Sequence, residues 1–160
     1  MTDTPQRAVH VWSLKFNAND VLLYCRQLEA PVDVRMVAQI LGIKVKELPK
    51  PGWAGAARRA DVRRALWVPE DDSEIRKRFT IAHLLGHFVL QPKKTVFVES
   101  NFQGRGEGSA NQFAIELLMP KALVVASMSD LGADRKKIAE AFQVSEEAAG
   151  MRIKALWETL

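Results

Sequence analysis

A single cysteine, Cys25, in 160 residues excludes an internal disulfide, and its place in an apolar helical stretch reads as a buried, inert thiol. Charge of one sign is also in short supply. The 23 Lys and Arg against 19 Asp and Glu leave a net charge of +4, too small an excess over a whole domain to indicate nucleic acid by itself. No apolar run approaches the roughly 20 residues that span a bilayer, which excludes a membrane protein. Met1 to Pro5 lacks the charged-then-apolar layout of a secretory signal, so a cytoplasmic protein is expected. The length suits one domain, residues 1–160, with a core that buries roughly two thirds of the unfolded surface. Local cationic clusters at Arg58, Arg59, Arg63 and Arg64 and at Arg76, Lys77 and Arg78 read as solvated faces. Most of Trp12, Trp53, Trp67 and Trp157 are expected to be buried.

Histidine is scarce too, yet two of the 3 present are His83 and His87, four residues apart in the run Arg78-Phe79-Thr80-Ile81-Ala82-His83-Leu84-Leu85-Gly86-His87-Phe88. On a helix this spacing puts both imidazoles on one face, one turn apart. In the H-E-x-x-H arrangement such a pair binds zinc while the intervening Glu acts as general base. Here Leu84 stands in that place and cannot accept a proton. The stretch from Ile81 to Leu90 is apolar nearly all round and predicts a central buried helix, in which two imidazoles one turn apart need partners. A metal site or its relic is favoured. The competing reading is a polar pair hydrogen-bonded within the core, with Thr80 or Ser109 as partners.

Elsewhere the pattern predicts a helix from Asn19-Asp20, stopped by Pro31. A second helix is capped by Asp33 and ended by a left-handed Gly42, and a strand follows over Ile43 to Leu48. Segments around Gly55 to Ala60 and Arg64 to Val68 read as a hairpin turning at Ala60-Asp61. The histidine helix opens at Asp71-Asp72-Ser73-Glu74 and stops before Pro92. Gln91 to Gly108 reads as a long loop, and a helix resumes at Ser109 and closes at Pro120. Two tail helices follow from Asp134, the second capped by Ser145, with Ala149, Ile153, Leu156 and Leu160 as its buried stripe.

Four blocks carry a family resemblance. Val32 to Ile43 is similar to an opening helix and strand, Arg78 to Leu90 to "RFTLAHELGHxLL" except at the Glu, Ser109 to Pro120 to "EANxFAAELLMP", and Lys137 to Leu156 to "LAxxFxVSxxAxxxRLxxL". In these the chain resembles the ImmA/IrrE family of zinc metallopeptidases, bacterial and phage proteins that act with helix-turn-helix repressors. The resemblance implies an α+β, zincin-like fold: a small antiparallel sheet on a central histidine-bearing helix (about 32–120) and a helical, helix-turn-helix-like tail packed on it (about 130–160). It implies His83 and His87 as metal ligands, Leu84 in the place of the base and Ser109 in the place of a third, carboxylate ligand. Zinc would then be bound weakly or not at all.

Candidate replacement ligands rank Glu107, Glu99, Glu116. Glu107 is set back by a rotation of roughly 200° from Ser109 on an ideal helix, and Glu116 lies about 10 Å along it. The expectation is a pseudo-peptidase with no intact catalytic residue, binding a helix-turn-helix (Xre-type) regulator as toxin or regulatory partner in a phage or toxin-antitoxin pair, with DNA reached only through that partner. Two alternatives remain. One is an active metallo-endopeptidase with noncanonical ligands that cleaves a repressor. The other is a DNA-binding regulator using Arg135, Lys136, Lys137, Arg152 and Lys154 on the tail, opposed by Glu146 and Glu147.

Overall fold

The computed structural model describes residues 15–49, 52–60, 63–99 and 101–159. Helix α1 (Ala18–Tyr24) opens on a reciprocal cap: the Asn17 side chain accepts from the Asp20 N–H, and the Asp20 carboxylate accepts from the Asn17 N–H, both at 2.9 Å. The cap therefore sits two residues ahead of the Asn19 expected. The helix ends at Tyr24, with Arg26 left-handed at φ 55°, well before Pro31. Helix α2 (Val34–Ile40) is capped by Asp33 and followed by Gly42 at φ 73°, as the pattern predicted, and strand β1 (Ile43–Leu48) follows.

Strands β2 (Gly55–Ala60) and β3 (Arg63–Pro69) form the expected hairpin. A further strand, β4 (Val96–Glu99), lies in the stretch read as a loop. It is too short to carry an alternation signal, and its pairing partner β2 is far away in sequence. The order is β1-β3-β2-β4, antiparallel except for the parallel β1–β3 pair, so the sheet is mixed rather than wholly antiparallel. Ile43, Ala57, Leu66, Val68 and Phe97 are buried on its inner face.

Helix α3 (Glu74–Leu90) packs on that face, opened by Ser73, whose hydroxyl accepts from the Arg76 N–H at 3.2 Å. It is buried without a break from Thr80 to Val89. Helix α4 (Glu107–Leu118) lies alongside, and the approach is close at Gly86, where an added Cβ would stand 3.1 Å from Phe113 Cδ1. Pro120 closes α4 as expected but also precedes a helix the pattern missed, α5 (Lys121–Leu131).

Helices α6 (Arg135–Phe142) and α7 (Glu146–Trp157) start at the expected caps, Asp134 and Ser145. Ile138, Phe142, Ala149, Ile153 and Leu156 join the same apolar cluster as Leu66, Leu84 and Leu117; Leu160 lies outside the described residues. Buried cations tie this tail down. Arg78 donates from Nε to the Gln143 carbonyl at 3.1 Å and from Nη2 to that of Phe142 at 3.2 Å, and Arg152 Nε donates to the Met119 carbonyl at 2.9 Å. Burial pushes both guanidinium pKa values down. The cationic clusters are thus split: Arg58, Arg63 and Arg76 are exposed, Arg59 and Arg64 half-buried, and Lys77 and Arg78 buried.

The architecture is α+β, with a small sheet on a histidine-bearing helix and a helical C-terminal part. Cys25 is buried, and burial raises its pKa to about 11. No helix among the described residues is long and apolar enough to cross a membrane.

Candidate metal centre

His83 and His87 project from the middle of α3 toward the first turn of α4 and are almost fully buried, at 0% and 2% exposure. Their Nε2 atoms lie 3.1 Å apart. Glu107 Oε2 completes a triangle with them, 2.7 Å from His83 Nε2 and 3.1 Å from His87 Nε2. Glu107, ranked first among the candidate replacement ligands, is thus the carboxylate that meets the histidines, even though an ideal helix phased on Ser109 sets it back by roughly 200°. Helix α4 starts at Glu107 rather than Ser109, after a left-handed Gly106 at φ 88° that turns the chain sharply into it. Glu107 and Asn111, four apart, share the face that meets α3, whereas Ser109 is rotated off it and exposed. Ser109 is not at the site. Glu116, further along α4, instead accepts from Gln112 Nε2 at 2.8 Å, and the side chain of Glu99 lies outside the described residues.

The outer contacts fix the rings. Asn111 Nδ2 donates to the Phe102 carbonyl at 3.0 Å, which turns its Oδ1 toward His83 Nδ1 at 2.8 Å. An amide oxygen only accepts, so His83 carries its proton on Nδ1 and presents the Nε2 lone pair to the triangle. His87 Nδ1 faces Gln91 Oε1 at 3.3 Å in the same manner. Neither Thr80 nor Ser109 serves as the imidazole partner. Phe102 lies over His83 at 4.6 Å between ring centroids, and Phe97 of β4 stacks on His87 at 5.0 Å. Gln91 stands four residues after His87, a spacing that could have pointed to it, whereas Asn111 and these two rings carry no such signal.

Three acceptors converging within about hydrogen-bond distance repel one another unless a cation lies between them. Burial and the neighbouring His87 hold the His83 imidazole below its usual pKa, which disfavours a proton in that role. A metal ion fits better. Zinc bonds of about 2.0–2.1 Å in a tetrahedron set donor-to-donor edges of about 3.3 Å, so two sides of the triangle need to open by about 0.2 Å and the His83–Glu107 side by about 0.6 Å. Two histidines and one glutamate are a known catalytic zinc set. His83, His87 and Glu107 thus lie close enough to hold a metal, and the outer-shell amides have the form that orients metal-bound imidazoles.

Leu84 is fully buried. Its Cδ1 lies 3.3 Å from where a Cβ at Gly55 would stand, so it packs toward β2 as part of the core. No proton acceptor occupies that position. On the tail, Glu146 and Glu147 are exposed in the first turn of α7, Arg135 lies 3.7 Å from Glu146, and Arg152 is buried. Arg152 is therefore no surface cation for DNA.

The family described as the IrrE N-terminal-like domain, Peptidase M78, matches residues 38–154, a span that includes the histidine helix, Glu107, α6 and most of α7. No curated protein matches the chain.

Proposed function

The chain belongs to the IrrE N-terminal-like, Peptidase M78 family, and we propose that it is a metal-holding pseudo-peptidase that grips a protein partner without hydrolysing it. The observation that carries this reading is a converged His83, His87 and Glu107 set beside a buried Leu84 where the base belongs. A zinc ion, when bound, would supply Lewis-acid polarisation. The residues of the chain supply the holding: two imidazoles with oriented lone pairs, one carboxylate, and an aromatic wall of Phe97 and Phe102. They do not supply proton transfer, which is worth roughly 10²–10⁴-fold in rate.

The partner we infer is a helix-turn-helix, Xre-type regulator, with this chain as its toxin or regulatory counterpart and DNA reached only through it. Strand β4 offers a place to hold an extended segment of such a partner. It ends the sheet, Phe97 ties it to His87, and Val96 and Val98 are exposed at 53% and 63%. An edge strand of this kind binds peptide by strand addition.

The test is to purify the chain without chelator, measure its zinc, and incubate it with a helix-turn-helix, Xre-type regulator. About one zinc per chain and a regulator bound but intact are expected. Cleavage of the regulator would replace this reading with that of an active peptidase, and a zinc-free protein that cannot be loaded would make the triangle a relic.

A further inference from the structure

We propose that the outer face of the sheet is a docking surface for single-stranded nucleic acid. The proposal is independent of the metal centre. Helices α2 and α3 cover one face of the sheet, and no helix among the described residues covers the other.

The strand register arranges that open face in rows. Lys46, Trp67, Ala56 and Val98 form one row across β1, β3, β2 and β4, and Lys44, Ala65, Arg58 and Val96 form the next. Arg63 and Ala60 sit beyond them. Lys44, Lys46, Arg58 and Arg63 are exposed, and no outward position of the described strands carries a carboxylate. The one acidic side chain described in β1, Glu47, turns to the helix side, where it accepts from Lys77 at 2.9 Å and Arg35 at 2.8 Å. The outer face thus carries exposed cations without a carboxylate, whereas the helix side holds Glu47 together with Arg59 and Arg64.

The relief of the face matches the charge. Small residues at 56, 60 and 65 leave two depressions flanking the central strand. One, about 370 Å³, is lined by Arg58, Ala60, Arg63, Ala65 and Trp67. The other, about 380 Å³, is lined by Gly42, Lys44, Lys46, Arg63, Arg64 and Ala65. A half-buried indole between exposed cations can stack one base while phosphates lie on either side, which is how sheet surfaces bind unpaired strands. Duplex DNA is a poor occupant, because its grooves admit a helix or a narrow ribbon and not a broad sheet face. An acidic peptide would satisfy the cations but leave the indole without a role.

The experiment is fluorescence anisotropy with labelled single strands of about 12 nucleotides, oligothymidine and oligouridine, against a duplex of equal length and against polyglutamate. Single strands should bind in preference to both competitors. Their affinity should fall by roughly 20- to 50-fold between about 50 and 200 mM salt, as expected for neutralising three or four phosphates. The combined Lys44→Glu, Lys46→Glu and Arg63→Glu protein should lose binding while keeping its circular dichroism. Trp67→Ala should weaken binding by roughly tenfold, and Trp67→Phe, which keeps an aromatic face, should retain most of it. No saturable binding at about 50 mM salt, or an unchanged affinity in Trp67→Ala, overturns the proposal. Equal binding of polyglutamate would reassign the face to an acidic protein, and preference for duplex would point away from the sheet.

Discussion

Glu107 Oε2 lies 2.7 Å from His83 Nε2, across the seam between the first turn of α4 and the middle of α3. That contact makes Glu107, and not Ser109, the carboxylate placed to hold a metal beside the histidines. Glu107→Gln keeps the size of the side chain but replaces an anionic donor with a neutral one. It should lower zinc affinity by more than the roughly 10–100-fold typical of outer-shell changes, whereas Ser109→Ala on the exposed side of the helix should leave it unchanged. Competition titration with a chromogenic chelator measures both, and equal effects of the two substitutions would contradict the geometry.

Asn111 acts one step further out. Its amide is held by the Phe102 carbonyl and holds the His83 Nδ1 proton, so it fixes both the tautomer and the ring plane. Asn111→Ala should cost roughly 10–100-fold in zinc affinity with the ligands themselves intact. Asn111→Asp, which still accepts from Nδ1, should retain more than Asn111→Ala. Reversal of that order would mean the amide serves packing alone.

Leu84 bears on whether the missing base can be put back. The side chain is fully buried toward β2, so Leu84→Glu would place a carboxyl group in apolar surroundings. Burial raises a carboxyl pKa, so the folded form would hold the proton more tightly than the unfolded chain does. Stability should therefore be closest to the parent below the unfolded value of about 4.3 and fall as pH rises above it, with a loss of about 3–5 kcal/mol once the charge is forced. Urea unfolding at acidic and neutral pH reads this out. A substituted protein as stable as the parent at both would show that position 84 opens onto water.

The elements that the sequence disclosed are those whose boundaries are written locally. Asp33, Ser73, Asp134 and Ser145 each accept from a backbone N–H in the first turn of the helix they cap, and Gly42 takes the left-handed conformation that ends α2. Strand β4 was hidden because its cause is remote: Phe97 is opposite Ala57 across a gap in sequence filled by β3 and α3. The exchange of Ser109 for Glu107 at the site has a related cause. Helical phase relates Glu107 to Ser109 correctly, but which of the two meets α3 depends on how α4 docks, and that is set by the Gly86 and Phe113 contact. The histidine pair was legible because its spacing is local, and Gln91 stands at the same i,i+4 spacing from His87, while Asn111 and Glu107 were assembled by packing.

The Glu47 ion pairs give a pH dependence separate from the metal centre. The hydrogen bond from Lys77, followed by that from Arg35, holds the Glu47 carboxyl below its usual pKa, although burial opposes this. Lys77 is raised in return, first by its hydrogen bond to Glu47. A carboxylate depressed in the folded state contributes stability that is complete above its unfolded pKa of about 4.3 and is lost as pH falls through the lower folded one. The raised ammonium contributes below the ordinary lysine value of about 10.4 and loses its share as pH rises through the folded value. Glu47→Gln should accordingly lower the neutral plateau and flatten both the acid and the alkaline limbs of the stability profile by the same amount, a small one because the pair is partly exposed to solvent. Thermal melts across the pH range test this, and an acid limb as steep in Glu47→Gln as in the parent would place the titration elsewhere.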